Sequence, residues 1–417
     1  MTDNPIKTYL VGGAVRDRLL GLSPKEHDWV VVGSTPEAMA DQGYRPVGQS
    51  FPVFIHPKSG EEYALARTER KTGRGYKGFS FFADATVTLD QDLIRRDLTI
   101  NAIAEDESGG LIDPLGGQDD LDKRLLRHVS NAFSEDPLRV LRVARFMAKL
   151  APFEFTIAPA TMELMLELVE SGELGELTPE RVWLETEKAL LTARPRLYFE
   201  TLRSVGALEI LFPELNRLFG VPQNPKYHPE IDTGLHILLS LDQICAVSED
   251  LALRFATLTH DLGKGTTAVD QLPSHNGHEE RGVKQIEILA KRLRVPNDCR
   301  DLGIKVSRWH LHSHRALELK ASTIEKLFSG LDLWRNPSLL EDFLHCCRAD
   351  IRGRTGLEKQ DYPQAEYLLD CFKAATSVDS RAIREAGYEG VEIGKQMQLA
   401  RIAAIQSVKE YRAELSN

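Results

Sequence analysis

The 417-residue chain has little cysteine: Cys245, Cys299, Cys346, Cys347 and Cys371 are all it carries, and no two form a Cys-x-x-Cys pair. That count and spacing exclude a disulfide-stapled scaffold and a structural zinc ribbon, and imply a reducing compartment. No apolar run approaches the roughly 20 residues needed to cross a bilayer. The first residues, MTDNPIKTYLVGGAVRD, lack the apolar stretch of a signal peptide. A cytoplasmic protein with no membrane partner is expected. Internal repeats, low-complexity tracts and sustained heptads are missing too, which excludes solenoids and coiled coils. Positive charge is not in excess either: 52 Lys and Arg stand against 62 Asp and Glu, a formal net charge of −10. Indiscriminate coating of nucleic acid by bulk attraction is thereby excluded. A local basic track is not, because residues 123–149 hold seven Lys or Arg against two acids.

What is present is an ordinary globular composition, 42% hydrophobic and 27% charged, long enough for two to four structural units. The first 115 residues mix short β-like runs with Gly and Pro turns. Strands are predicted at 9–11, 29–32, 52–55, 62–65 and 111–113, with a short helix from Gly13 to Leu22 between the first two. From Leu121 onward the apolar spacing becomes three and four, predicting helices over 121–127, 137–150, 160–171 and 179–191. Asp136-Pro137 and Thr178-Pro179 read as N-caps followed by Pro at the first helical position. Residues 221–229 hold three prolines and read as a linker. Helices over 233–247 and 250–262 follow, the latter closed by Gly263 as its C-cap. The fold class is α+β: a small mixed-sheet head followed by a long all-α body.

Three features of the head carry chemistry. Gly12-Gly13-Ala14-Val15-Arg16-Asp17 follows a strand and opens a helix, so its backbone can approach a phosphate, with Gly13 at the turn and Arg16 adding a cation. A plain strand-to-helix turn has the same look. Glu26-His27-Asp28 precedes an apolar strand, and alternation puts Glu26 and Asp28 on one face. Two carboxylates so spaced can hold Mg²⁺, with Glu62 as a third, although solvated strand ends are also acidic. Residues 67–77 hold Arg67, Arg70, Lys71, Arg74 and Lys77 among glycines and aromatics, a basic loop suited to a nucleic-acid end or to closure over a nucleotide.

Taken in order, Leu10-Val-Gly-Gly-Ala-Val-Arg-Asp17, Glu26-x-Asp28, Arg95-Arg-Asp-Leu-Thr-Ile-Asn101 and Glu135-Asp-Pro-Leu-Arg139 resemble the nucleotidyltransferase superfamily, and within it the bacterial CCA-adding enzymes. The family's usual pair is Asp-x-Asp, and Glu26 departs from it with a longer stem. The resemblance implies addition of CCA to a tRNA 3′ end from CTP and ATP. Glu26, Asp28 and Glu62 would then be catalytic, the first two as Mg²⁺ ligands. Gly13, Arg16, Arg96, Asp136, Arg139, Arg142 and Arg145 would bind nucleotide. Cytosine and adenine each present an amino donor beside a ring-nitrogen acceptor, whereas an aspartate only accepts and an arginine only donates. Asp136 with Arg139 would thus admit C and A and oppose U and G. Asp97 would position Arg96 or another base-facing group, and Asn101 would reach the ribose; both are equally suited to cap a helix.

In the body, His236, His260-Asp261, His275 and His278 in a polar loop, then His310, His312 and His314, resemble the HD-type phosphohydrolases. His236, His260, Asp261 and His278 are the first-choice ligands, with His310 and Asp350 as further candidates for a divalent transition metal such as Ni²⁺. The resemblance implies 2′,3′-cyclic phosphodiesterase, 2′-nucleotidase and phosphatase activities. Its domain plan is a nucleotidyltransferase head at 1–120, a nucleotide-recognition and neck region at 121–220, the HD-type domain at 228–330 and a tRNA-binding tail at 331–417. A monomer, or at most a weak homodimer, is expected. The rival readings are a poly(A) polymerase, a phosphohydrolase with a nucleotide-sensing head, and a catalytically silent tRNA-binding protein.

Overall fold

The computed structural model describes residues 6–24, 26–47, 53–71 and 79–415. Residues 1–193 and 197–211 form one compact unit, and residues 194–196 with 212–417 form the other. Residues 221–229 therefore lie inside the second unit.

The first unit is built on β1 (Lys7–Val11), β2 (Asp28–Val32), β3 (Arg45–Val47), β4 (Val53–Ile55), β5 (Glu62–Leu65), β6 (Arg67–Lys71), β7 (Phe79–Ala83), β8 (Ala104–Glu105), β9 (Leu111–Ile112), β10 (Leu125–Leu126) and β11 (Thr156–Ile157). Seven of these form one mixed sheet in the order β3-β4-β5-β2-β1-β8-β9, while β6 and β7 pair separately as an antiparallel ribbon. Alternation along β2 and β5 divides the apolar residues between two faces. Val30 joins Val11, Leu93 and Ala104 on one, and Val31 joins Met39, Phe54 and Leu65 on the other.

Its helices are α1 (Gly13–Leu19), α2 (Pro36–Asp41), α3 (Leu89–Ile94), α4 (Gly117–Asp122), α5 (Leu138–Lys149), α6 (Pro159–Glu170) and α7 (Pro179–Leu190); α8 (Arg196–Ser204) and α9 (Ala207–Leu211) follow. At the start of α5, Pro137 takes the N-cap position, where the sequence predicts Asp136; Asp136, one residue earlier, accepts from the Leu138 amide through Oδ1 at 3.0 Å. The buried stripe of α5, Val140, Leu141, Val143, Ala144 and Phe146, packs against α7. No helix spans 121–127, contrary to the apolar spacing. Arg124 takes a left-handed φ of 55°, which ends the turn after α4. Leu125 and Leu126 then pair in parallel with Thr156 and Ile157, and Leu126 is fully buried there.

The second unit is helical throughout: α10 (Pro213–Asn216), α11 (Thr233–Cys245), α12 (Leu251–Thr259), α13 (His278–Leu293), α14 (Asn297–His314), α15 (Ala321–Gly330), α16 (Leu339–Arg352), α17 (Pro363–Thr376), α18 (Ser380–Glu385) and α19 (Val391–Leu415). Asp232 and Asp250 cap α11 and α12 by accepting from Leu235 and Leu253 amides. Two expectations fail at the end of α12. The helix stops at Thr259, His260 is its C-cap, and Gly263 sits in the following 3₁₀ turn, Leu262–Thr266. There a Cβ would run into the His278 carbonyl and the Gly282 amide of α13, so this glycine serves close approach and not capping. His278 likewise opens α13 and does not lie in a loop.

Because both obstacles at Gly263 are backbone, Gly263→Ala should destabilise the second unit by about 1–3 kcal/mol, the usual cost of overpacking. Chemical unfolding of the full chain reads this directly.

Candidate functional site

In the head, Asp28 and Glu62 open neighbouring parallel strands and are register partners. Their side chains therefore leave from one face, on strands about 4.8 Å apart. On the opposite face Trp29 stacks on Tyr63, with ring centroids 5.4 Å apart. Glu26 lies before β2 in irregular backbone, so strand alternation does not place it beside Asp28. Desolvation by surrounding atoms raises the Asp28 carboxyl above its ordinary range, Arg96 opposes this, and Glu26 adds to it. Among the described residues, Glu26, Asp28 and Glu62 do not form a group whose three ligand atoms all lie within 4.8 Å of one another.

The arginines expected to meet nucleotide are held in a buried network. Arg16, only 2% exposed, donates Nη2 to Asp17 at 2.6 Å and Nη1 to Asn101 Oδ1 at 2.5 Å. Asn101 donates in turn to Asp97 at 3.0 Å, and Arg142 donates Nε to the other oxygen of Asp97 at 2.7 Å. Arg145 donates to Glu185 of α7 at 2.5 Å, and Lys149 closes the far end on Asp17 at 2.8 Å. Phe146 lies under Arg16, Arg142 and Arg145, at 4.9, 5.9 and 4.4 Å. Burial alone would raise the Asp97 carboxyl, but Arg142 and Asn101 carry it far below the carboxylate range.

Asp97 holds Arg142, a group other than Arg96, which is held by Asp92 at 3.1 Å. Asn101 is engaged on both sides, by Arg16 and by Asp97. Asp136 and Arg139 stand at the start of α5. Asp136 Oδ2 accepts from Arg181 of α7 at 2.8 Å, and Arg139 donates to the Arg95 carbonyl at 2.5 Å. Of the basic loop, Arg67–Lys71 is strand β6; Arg74, Tyr76 and Lys77 lie outside the described residues.

The second unit gathers its histidines into a buried centre. His236 comes from α11, His260 and Asp261 from the end of α12, His278 from the start of α13, His310 and His314 from α14, and Asp350 from α16. Two groups of three ligating atoms form within it: His236, His260 and Asp350, then Asp261, His278 and His310. His236 Nε2 lies 3.0 Å from Asp350 Oδ1, and His260 Nε2 lies 3.2 Å from Asp261 Oδ2. Across the centre, His278 and His310 approach Asp261 Oδ1 at 3.2 and 3.6 Å. Backbone carbonyls orient three of the rings: Nδ1 of His260 lies 2.7 Å from the Thr257 carbonyl, that of His278 2.8 Å from His275, and that of His310 2.9 Å from Ser307. Carbonyls can only accept, so Nδ1 of each ring carries a proton and Nε2 is the nitrogen left to face the centre. His236 is held by Glu230, 2.9 Å from its Nδ1.

His260 Nε2 and Asp261 Oδ1 are buried with no hydrogen-bond partner among the described residues. Inward-facing ring nitrogens, carboxylates and atoms without a protein partner together fit a divalent transition metal. Burial pushes the His310 imidazole well below its ordinary value. Burial lowers His260 too, but Asp261 and Asp350 outweigh it and hold the imidazole up near 9.

All four first-choice ligands meet here, as do His310 and Asp350. His275 is turned away, its Nε2 3.0 Å from the Pro222 carbonyl. Sequence reasoning missed Glu230 and Lys264, and noted His314 without making it a ligand candidate. His314 stands four residues after His310 on one helix, a spacing that signals a shared face, and reaches Asp350 at 2.6 Å. Lys264 binds Asp261 at 2.6 Å and Gln223 at 2.5 Å. Nothing in the Pro-rich run marks Glu230 or Gln223.

A family model described as the poly A polymerase head domain matches residues 8–127, and one described as a probable RNA and SrmB- binding site of polymerase A matches residues 154–219. Over 404 residues the chain is 56% identical to the multifunctional CCA protein of Thioalkalivibrio sulfidiphilus (strain HL-EbGR7), covering 97% of this chain and 99% of that one. The chain belongs to the multifunctional CCA protein family. Another member, from Shewanella denitrificans, is 56% identical over 405 residues, 97% of this chain and 98% of its own. Solved structures share the fold of this family member. A CCA-adding enzyme in apo form II aligns with a TM-score of 0.66 at 20% identity, covering 99% and 92% of the two chains. The Thermotoga maritima CCA-adding enzyme complexed with tRNA aligns at 0.63 and 19%, with the same coverage.

If the second centre binds metal, Ni²⁺ added to chelator-treated protein should raise its unfolding temperature. At a free concentration of 100 Kd the expected stabilisation is about 2.7 kcal/mol. His260→Gln should remove the shift, as thermal scans with and without the ion would reveal.

Proposed function

We propose that this chain adds CCA to the 3′ end of tRNA from CTP and ATP, and that its second unit hydrolyses 2′,3′-cyclic phosphates and phosphate monoesters at such ends. The observation that carries the reading is the 56% identity to multifunctional CCA proteins along 97% of the chain, which spans both candidate centres. Residues 1–120 would be the nucleotidyltransferase head, 121–220 the recognition and neck region, 228–330 the phosphohydrolase domain and 331–417 the tRNA-binding tail.

For addition, the tRNA 3′-hydroxyl attacks the α-phosphate of the incoming nucleotide, a P–O bond to that hydroxyl forms, and pyrophosphate leaves. Mg²⁺ held by Asp28 and Glu62, with Glu26 assisting, would lower the hydroxyl pKa and offset charge on the leaving group. Asp136 accepts from the exocyclic amine of C or A, and Arg139 donates to the neighbouring ring nitrogen. Arg181 and the Leu138 amide occupy only part of the Asp136 carboxylate's acceptor capacity and keep it aimed. The network behind α5 fixes where this pair stands. Arg16, Arg96, Arg142 and Arg145 supply the positive field for the triphosphate.

In the second unit, a divalent transition metal such as Ni²⁺ held by His236, His260, Asp261, His278, His310 and Asp350 would lower the pKa of the attacking water. Opening a cyclic phosphate restores the free hydroxyl that addition needs, which gives the two chemistries one substrate.

Incubation of the full chain with Mg²⁺, CTP, ATP and tRNA lacking its last three nucleotides should extend it by three residues and stop. A growing A-tail would make it a poly(A) polymerase, and opening of a cyclic phosphate without addition would make it a phosphohydrolase first. Asp28→Ala should abolish addition and spare hydrolysis, while His260→Ala does the reverse; loss of both from one folded variant overturns the two-site reading. Asp136→Ala should relax C/A selection against U and G more than it raises KM.

A further inference from the structure

Beside the histidine centre stands a guanidinium to which no role has yet been assigned. Helix α16 ends at Gly353, where a Cβ would meet the backbone and hydroxyl of Ser240 on α11, so the chain passes flush against that helix. The next residue, Arg354, is 15% exposed in its side chain, and its Nη2 lies 3.7 Å from Asp350 Oδ1. That contact is longer than a hydrogen bond. Its Nε is buried with no hydrogen-bond partner among the described residues. The other cation of the centre is differently placed, because Lys264 is engaged by both Asp261 and Gln223. The backbone beside Arg354 is fixed: the Thr355 amide donates to Glu230 Oε2 at 3.3 Å, and the other oxygen of Glu230 meets His228 and His236 at 3.0 and 2.9 Å. Burial is the main reason that the His228 and His314 imidazoles are depressed, and the Arg354 charge contributes at both.

We propose that Arg354 is the substrate-binding residue of the second unit, holding the non-bridging oxygens of a ribose cyclic phosphodiester or monoester beside the histidine centre. The proposal rests on the reading of that unit as a phosphohydrolase. A guanidinium offers parallel donors matched to two phosphate oxygens, and Arg354 has donors not taken up by its neighbours. In the reaction, water oxygen bonds to phosphorus as the bond to O2′ or O3′ breaks. One water proton goes to the departing oxygen, and the other is released as the monoester approaches its second negative charge. Charge on phosphate grows from one towards two, so a fixed cation favours the later states over the bound diester.

The test uses the full-length, metal-loaded protein as wild type, Arg354→Gln and Arg354→Lys. Calorimetry reads inorganic phosphate binding, steady-state kinetics reads hydrolysis of 2′,3′-cyclic AMP, and plasma mass spectrometry reads metal content. Arg354→Gln should weaken phosphate binding and raise KM by about tenfold or more, the scale of one charge-assisted hydrogen bond, at unchanged metal content. Arg354→Lys should recover part of the affinity, since it keeps the charge and loses the fork. Unchanged phosphate affinity in both variants overturns the proposal, as does metal loss that accompanies the weakened binding, which would assign Arg354 to the support of Asp350. Wild type that binds phosphate through Arg354 without hydrolysing the cyclic ester supports the anion site and refutes the hydrolase reading. Wild type that binds no phosphate overturns the site itself.

Discussion

Asp97 is a carboxylate 6% exposed, and the working geometry of the head depends on how its charge is met. An ion taken out of water demands partners in fixed places, and here Arg142, Asn101 and the Leu98 amide supply them at 2.7, 3.0 and 2.8 Å. Through Asn101 the constraint passes to Arg16 and hence to α1; through Arg142 it passes to α5 and, by Glu185, to α7. Helix α5 is thereby tied to α1, the helix that follows β1, and with it Asp136 and Arg139 at its start. The arginines that look like free phosphate hooks in the sequence are also the frame that holds Asp136 and Arg139 in place.

The second unit meets the same demand in the opposite way. Its buried acids, Asp261 and Asp350, are surrounded chiefly by imidazoles, which are weaker and conditional cations. The rings are turned by carbonyls and by Glu230 so that their Nε2 atoms face inward. Among the described residues, His260 Nε2 and Asp261 Oδ1 have no hydrogen-bond partner. A network with every acceptor matched is a scaffold, while one left short of positive charge is a receptacle. The two halves of the chain differ in this respect more than in their supply of charged residues.

Much of this was legible in the sequence, for identifiable reasons. Strands β1, β2, β4 and β5 follow from short runs of β-branched and aromatic residues between turns, and His260-Asp261 with His236 and His278 stand out by residue type. Residues 121–127 misled because Leu121, Leu125 and Leu126 have helical spacing while the left-handed turn at Arg124 leaves no local signature. The alternation argument for Glu26 fails because β2 begins only at Asp28, although the Glu26 charge still bears on Asp28. The partners of Arg142 and Arg145 lie 45 and 40 residues away, so their engagement is a tertiary fact. Glu230 was hidden by the prolines around it, which mark irregular backbone but not that the backbone lies against a centre.

His260 and Asp261 are consecutive, yet each faces the same small volume. In an uninterrupted helix successive side chains diverge by about 100°, so the break in α12 after Thr259 is what brings the two together. The same relation bears on how the chain can change length. One residue inserted or deleted within the nine of α12 would rotate its end by that angle and swing Asp261 away from His278 and His310. Insertions can collect in the loop before Asp250, but the helix itself keeps its length for the sake of where it stops.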